Sequence, residues 1–544
     1  MPVRSFPRPF TYRTFPLPFT NRKFPLDFDR LAREFARYVV LLEIDFESGT
    51  RYYSYHGVRA TTQFYKDRII ELGAISRETP PLGGAYSISD LTVSVANTDM
   101  EFSELAGAGP IYDRAVRVRF GDPQRGLSRM TVIFTGQITG DWDISEHVFK
   151  FNARDVRYDR FQESVAGSMK RLVTSVFPNL PGGTPAHVVP AVYGDVRVDP
   201  DIDLGPSYGG SYDGGGPLPA YLIDPDLNRY VVADSAVKGV PQVFVYGVLA
   251  DPADYTVTEA VYGGQTMTFL DFAVSPLDPQ RTSELEVTVS VQGKVDGSSS
   301  GDLIDNPIEQ IGDCLATYFE TPAGDLETTL YDAVRARMDL DNYKGAWAIV
   351  KHEQLRSDVL AKWSESFQCP IMPTKNNKLG FYLNTTDALP TPLVRFRQND
   401  LRGFKNMSNP PSNIATVFTQ DYMYHYTKDY FARQPDFVIS GEEAWLGRAK
   451  RADQPLNLWY VRDEDTADLV AEAAADLRRE AVKYVSFELS PDHFRVVDLQ
   501  SVIGITHFEG IGVGGYQNEP FRITSLTLSA DPRSMKVGVM ALNA

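Results

Sequence analysis

The chain has 544 residues, 43% apolar and 12% aromatic, enough for several buried cores and about three to five domains. Its formal charge of −17 is uneven: Arg4, Arg8, Arg13, Arg22, Lys23 and Arg30 against Asp27 and Asp29 give residues 1–30 a net +4, leaving −21 on the other 514. An acidic body argues against wrapping a nucleic acid by phosphate neutralisation, but not against a channel through which nucleic acid slides without sticking.

Residues 1–28 repeat one unit at a period of nine: Phe6-Pro7-Arg8-Pro9-Phe10, Phe15-Pro16-Leu17-Pro18-Phe19, Phe24-Pro25-Leu26-Asp27-Phe28. The prolines remove backbone donors and fix φ, which disfavours helix and central strand. Polyproline II, with about three residues per turn, returns each Phe to the same azimuth after nine residues. The spacing predicts an extended arm, residues 1–30, whose aromatic stripe docks on a partner through Phe6, Phe10, Phe15, Phe19, Phe24 and Phe28. A basic arm on an acidic body suits docking onto another acidic surface, a copy of the same chain being one candidate.

From residue 31 the pattern is β. Tyr38–Phe46 and Arg51–Tyr55 flank Glu47-Ser48-Gly49-Thr50 as a hairpin. Asp90–Asn97, Val116–Phe120 and Val132–Ile138 alternate with period two, predicting antiparallel strands with one wet face over 31–165. Residues 166–310 read as an inserted all-β unit: a short helical stretch near Ser168–Ser175, a glycine-rich loop Gly205–Gly216, strands at Val243–Val248, Met267–Phe272 and Leu285–Val291, and a Gly297–Gly301 hinge. Pro307 in a first turn with Ile308, Ile311, Leu315 and Phe319 on one face predicts a helix. A strand at Ala346–Val350 and a helix over Arg356–Phe367 complete a small α+β unit, 311–420.

Residues 421–544 close the chain. A helix runs from Asp463 to about Lys483, capped by Asp463 or Asp465, with Leu469, Ala473 and Leu477 on one face. Strands follow at Val485–Leu489, Phe494–Val497, Val502–Thr506, Phe521–Leu528 and Met535–Val539. The fold class is therefore mainly β with α+β, in several domains, β at both ends. The two cysteines, Cys314 and Cys369, make no disulfide scaffold and suit buried thiols in a reducing cytosol. No apolar run reaches the length of a membrane span and no secretion signal is visible.

Motif matches fail in context. Gly510-x-Gly512-x-x-Gly515 has dinucleotide spacing, but Tyr516–Pro520 and a strand follow where a helix N-terminus is required, so a hairpin loop fits better. Gly-x-Ser-x-Gly around Ser207 and Ser299 lies in loops without the strand-to-helix turn of a nucleophile elbow. Asp199-x-Asp201-x-Asp203 lacks the glycine and glutamate of a calcium loop and reads as a solvated acidic turn. His56, His147, His187, His352, His425, His493 and His507 show no metal-ligand spacing. No catalytic, cofactor or metal residue is assigned.

Three stretches resemble the hub proteins of tailed-bacteriophage tails, the baseplate hub and the tail-tip protein. Leu91–Ser103 with Phe134–Ile138 resembles the first hub barrel. Val189-Pro190-Ala191-Val192-Tyr193-Gly194-Asp195-Val196 is similar to the lead-in to the family's inserted domain. Lys483–Leu542, with Asp498–His507 and Phe521-Arg522-Ile523-Thr524, resembles its last barrel. The resemblance implies a non-enzymatic homotrimer in the virion tail tip or baseplate, assembled in the host bacterial cytoplasm without stable membrane insertion. Two similar β-barrel modules per chain would present six copies to a distal tail protein or tail tube ring. It further implies contacts with tail fibre or tip proteins and tape-measure protein, with DNA only in transit. The Phe-Pro arm departs from the family, and no lysozyme-like or peptidase segment is found. The rival readings are a glycan-active or esterase-like β protein and a receptor-binding module using the 205–216 loop.

Overall fold

The computed structural model describes residues 38–78, 87–88, 90–182, 187–198, 216–276, 287–297, 301–351, 353–384, 392–408, 415–439, 449–476, 478, 483–490, 493, 496–510, 514–528 and 535–541. The first β unit contains β1 (Val39–Phe46), β2 (Gly49–Ser54), β3 (Val58–Ala60), β4 (Gln63–Asp67), β5 (Ile69–Leu72), β6 (Ile75–Glu78), β7 (Ser87–Ile88), β8 (Leu91–Ala96), β9 (Ala115–Gly121), β10 (Thr131–Ile144) and β11 (Val148–Asp155). Nine of these form one sheet in the order β3-β4-β2-β1-β9-β10-β11-β8-β5, antiparallel except for β2 with β4. The predicted alternation is present: Val116, Val118 and Phe120 are buried on β9 between half-buried neighbours. β1 is instead buried almost throughout, because Leu41 on its other face packs with Ala60, Tyr65 and Met130.

Burying β1 also buries a charge. Glu43 is 4% exposed and accepts from Tyr65 Oη at 2.7 Å, Arg119 Nε at 2.8 Å and Arg117 Nη1 at 3.3 Å. Those partners offset the desolvation of the carboxylate. The stretch after β8 is equally determined. Asn97 is fully buried; its Oδ1 accepts from Phe102 N (2.9 Å) and its Nδ2 donates to Ser103 Oγ (3.0 Å) and Ser145 O (2.8 Å). These bonds launch the helix Glu101–Ala108 and seat Phe102 against Phe149 (4.8 Å) and Tyr53 (5.4 Å).

The strands of the C-terminal end form a second large sheet, in the order Val394–Arg397, Val502–His507, Tyr516–Leu528, Met535–Ala541, Lys483–Leu489, Arg402–Ser408. β6 does not join the first sheet. It pairs antiparallel with Tyr516–Leu528, Ile75 opposite Leu528 and Glu78 opposite Ser525, and β7 pairs with β6. The two ends of the chain consequently share one continuous core, in which Leu42, Val93, Phe134 and Phe151 pack with Phe487, Ile505, Phe521 and Val539.

Between these sheets lie two further cores. The inserted unit buries Val196, Val232, Val243, Leu270 and Val289. A mixed unit buries Ile308, Ile311, Trp347, Trp363, Phe418 and Val470. Its helices Pro307–Thr317 and Arg356–Ser366 match expectation, as does the strand Trp347–Ile349; Asn306 Oδ1 caps the first helix by accepting from Ile308 N at 3.0 Å. The helix Glu464–Asp476 is capped by Asp463, whose Oδ2 accepts from Thr466 N at 3.0 Å. Its buried face runs through Ala467, Val470, Ala471 and Ala474, with the expected Ala473 buried and Leu469 packed at its edge, and the small residues let the helix lie close to the strand Val417–His425.

Three local expectations fail, the first being the helix expected to run to about Lys483, a residue that opens the strand Lys483–Leu489. Val165–Gly167 forms a single 3₁₀ turn and no helix follows over 168–175, where Leu172 N instead donates to His187 O at 2.9 Å and Val189 N to Lys170 O at 2.8 Å. Val496 and Val497 are not in a strand; both amides donate to or near His493 O in a turn.

Gly194 shows why the Val-Tyr-Gly word is fixed. It adopts φ +65°, and a Cβ there would lie 1.9 Å from Gly345 O. Beside it, Tyr193, Trp347 and Tyr460 form a continuous stack with centroid spacings of 4.7 Å. Gly194→Ala is expected to destabilise the junction by about 2–3 kcal/mol, read as a lowered denaturant midpoint with Trp347 fluorescence as the probe.

Candidate functional site

The six arm phenylalanines, Phe6, Phe10, Phe15, Phe19, Phe24 and Phe28, lie outside the described residues. So do Ser207, Ser299, Asp199, Asp201, Asp203, His352 and nearly all of the 205–216 loop. Gly510 and Gly515 fall in the connection between the antiparallel strands Val502–His507 and Tyr516–Leu528, the hairpin context expected. His56 and His147 are exposed. His187 stacks on Tyr221 (5.0 Å), His425 on Tyr430 (5.3 Å) and His507 on Phe404 (3.8 Å), while His493 meets Phe396 edge-on. Among the described residues no group of three His, Cys, Asp or Glu side chains could hold a metal, and no helix is long and apolar enough to cross a membrane.

What the tertiary structure does assemble is a cavity of about 480 Å³ in the mixed unit. Helical spacing puts Asp358, Ala361, Lys362 and Glu365 of the helix Arg356–Ser366 along one wall. Tyr424, Tyr426, Trp459 and Tyr460 supply the other, with Val350, Lys351, Glu353 and Gln354 at one end. The rings stand at steep angles: Tyr424 to Trp459 at 4.9 Å and 67°, Tyr424 to Tyr426 at 5.1 Å and 86°. Lys362 Nζ sits 4.3 Å from the Trp459 ring centroid. Burial, and then the Lys351 charge, pull the Lys362 ammonium below its ordinary range; burial pushes the Glu365 carboxyl up against hydrogen bonds from Asn457 and Trp459. Lys351 pairs with Asp429 at 3.0 Å. The result is an aromatic recess with an acid-rich rim.

A second cavity, about 460 Å³, lies where the inserted unit meets the mixed one. There Arg197 pairs with Asp195 at 2.6 Å, and Arg462 Nη1 donates to the Tyr424 carbonyl at 2.7 Å.

Close to that junction is a buried polar cluster. Tyr318 Oη donates to both oxygens of Asp234, at 3.0 and 2.8 Å. Tyr193 Oη and Lys294 Nζ both donate to Asp313 Oδ2, the latter at 2.6 Å. Burial pushes the Asp234 carboxyl up to about 7, against the Tyr318 bond and the Lys294 charge. The thiol of Cys314 beside this cluster is held well above its usual range by burial. The sequence carries no signal for either arrangement, since each draws on segments more than 80 residues apart.

The described molecule is thus a multidomain, β-rich protein whose two ends share one core. No family model matches the chain, and no curated protein matches it. Among solved structures it is similar to the 43 kDa tail protein of prophage MuSo2 from Shewanella oneidensis (10% identity, 92% of this chain and 96% of that one, TM-score 0.37). It is also similar to prophage tail protein gp18 from Listeria monocytogenes EGD-e (8%, 92% and 94%, TM-score 0.38). A third likeness is to a chain of the virion of a native gene transfer agent (11%, 69% and 88%, TM-score 0.39). By their descriptions these are phage tail and virion proteins, the class that the sequence resembles.

Proposed function

We propose that this chain is a structural, non-enzymatic hub of a bacteriophage tail tip or baseplate. Three copies surround the tail axis and adapt a six-fold tube or distal tail ring to a three-fold tip. The organisation proposed is an arm (1–30), end β units (31–165 and 421–544), an inserted β unit (166–310) and an α+β unit (311–420), except that the strands Val394–Arg397 and Arg402–Ser408 lie in the last sheet while Val417–His425 and Glu464–Asp476 pack in the mixed core. The hub contacts fibre or tip proteins and lines part of the path taken by tape-measure protein and DNA.

The observation that carries this reading is the shared core of the two chain ends. A platform that holds its neighbours in register must resist shear between its β units, and one continuous core does so where a linker would not. The three stretches that resemble the family fall on structural junctions. Asn97 pins the strand-to-helix turn, Gly194 opens the inserted unit, and Asp498 Oδ2 accepts from Lys375 N at 2.8 Å beneath the last sheet.

The arm phenylalanines anchor neighbouring copies, so deleting residues 2–29 should leave the folded body intact and block incorporation into particles. The full chain should show a mass three times that of one copy. A monomer that enters no particle, or a truncated chain that assembles normally, counts against the hub or the arm respectively.

A further inference from the structure

We propose that Lys294 and Asp313 join covalently, through a side-chain amide that ties the inserted unit to the mixed one. The inference stands apart from the hub reading, because it needs a single folded chain and no partner.

Placement comes first. Lys294 ends the strand Val287–Lys294 of the inserted unit, and Asp313 lies in the helix Pro307–Thr317 of the mixed unit. Their side chains meet at 2.6 Å, Nζ to Oδ2, and are 22% and 28% exposed. The lysines of the pairs Lys66–Glu101 and Lys351–Asp429 are 47% and 59% exposed, so water there keeps the amine charged and mobile. The arginine pairs are excluded by chemistry, since a guanidinium keeps its proton and is no nucleophile.

The surroundings hold the two groups together. Gly293 N donates to Gly194 O at 2.7 Å, and a Cβ on Gly293 would lie 2.4 Å from Val192 O, so the backbone before Lys294 has no room to shift. Tyr193 is fully buried and stacked on Trp347 at 4.7 Å; its Oη donates to the same Asp313 Oδ2 that Lys294 reaches. The Lys294 ammonium also lies 6.0 Å from the centre of the Tyr193 ring. An amine and a carboxyl kept in contact for the lifetime of the fold react as one molecule, which removes most of the entropic barrier to condensation.

The step balances without a cofactor. Lys294 Nζ attacks Asp313 Cγ; the new C–N bond forms and the Cγ–Oδ2 bond breaks. Ammonium and carboxylate become amide and one water, with no oxidant, reductant or co-reactant. Oδ2 accepts from both Lys294 and Tyr193, which marks it as the oxygen that leaves. One ammonium proton passes to it directly and the second through the Tyr193 hydroxyl, which is neutral before and after. Burial holds that hydroxyl well above its usual range, so it relays a proton rather than losing one. The neighbouring Asp234 feels both the Lys294 and the Asp313 charges, but burial and Tyr318 keep it from competing for the amine.

The test is mass spectrometry of the denatured full chain. The expected mass is one water below that of the sequence. Cleavage after glutamate places Lys294 in residues 287–309 and Asp313 in 310–320, and the expected product is those two peptides joined. A succinimide at Asp296-Gly297 also removes one water but leaves the peptides separate, and that result overturns the proposal, as does a parent chain of full mass. Lys294→Arg keeps the charge pair and should restore full mass with separate peptides; a joined product persisting in that variant is equally fatal. Tyr193→Phe keeps the ring stack and should lower the joined fraction about tenfold or more at a fixed time after refolding. An unchanged fraction removes Tyr193 from the step. Whether the protein has the mass of one copy or three bears on the hub reading alone.

Discussion

Arg77→Ala is expected to cost about 4 kcal/mol and to detach the end β units from one another. Arg77 lies on β6, the strand that joins the C-terminal sheet, and is 6% exposed. Its Nη1 donates to Thr374 O at 2.8 Å and its Nη2 to Ile133 O at 2.7 Å. One planar guanidinium therefore fastens the first sheet, the strand Ile371–Pro373 region and the last sheet together. Removing it takes a buried charge-assisted donor from each of the Ile133 and Thr374 carbonyls, of which Thr374 O keeps the Asn377 amide at 2.9 Å. It also removes a positive charge that lowers the Asp498 carboxyl, which burial already pushes up. Lysine should not restore stability, because a single ammonium cannot aim at two carbonyls in fixed, divergent directions. Hydrogen exchange is the decisive measurement: amides of Ile75–Glu78 and Ser525–Leu528 should lose protection together in the variant. Protection unchanged at those positions would show that the shared apolar core, not the guanidinium, holds the ends.

The second large effect is a pH dependence set by Asp234. The folded chain keeps this carboxyl protonated up to about 7, while the unfolded chain releases its proton near 3.8. The group's pKa is raised on folding, so its contribution is fully present below about pH 4, falls as pH rises, and levels above about pH 7. The gap between 3.8 and about 7 corresponds to no more than about 4 kcal/mol. Asp234→Asn keeps an acceptor for Tyr318 Oη and has nothing to ionise. The variant and the parent should be equally stable at pH 4, and the variant should be the more stable at pH 8. Asp313, Lys294, Tyr193 and Cys314 surround the site unchanged, so the difference between the two chains isolates Asp234. Parallel stability curves would mean that the carboxylate is solvated or paired in solution. Because Asp234 follows a strand of the inserted unit and Tyr318 ends the helix Pro307–Thr317, the bond also reports whether those units stay together.

Local order was legible from the chain alone wherever one residue's neighbours decide its conformation. Pro307 after Asn306 marks a helix start whether or not anything packs on it, and the observed helix begins there. Period-two alternation marked β8, β9 and β10, because a half-buried strand needs apolar residues on one side only. β1 escaped that rule since both its faces are covered, a fact held by residues 60, 65 and 130. The predicted face is present at Ala473, which is buried, and Leu469, which packs on the mixed core; Ala467, Ala471 and Ala474 were missed because alanines carry a weak hydropathy signal.

Partnership was not legible. Nothing in Ile75–Glu78 says that it pairs with Ser525–Leu528, some 450 positions later; a strand's edge offers the same donors and acceptors to any mate. Gly194 stood out as part of a familiar word, but the reason it must be glycine is the carbonyl of Gly345, 151 residues on. The cavity by Trp459 and the Asp234 cluster are likewise products of convergence, each drawing side chains from segments far apart in sequence. By itself the sequence determined the β-rich class, the main helices with their caps, and the regular Phe-Pro repeat, because these depend on spacing and local sterics. Only the tertiary structure decided which strands meet and which polar groups are buried together, because pairing and desolvation are properties of neighbours in space.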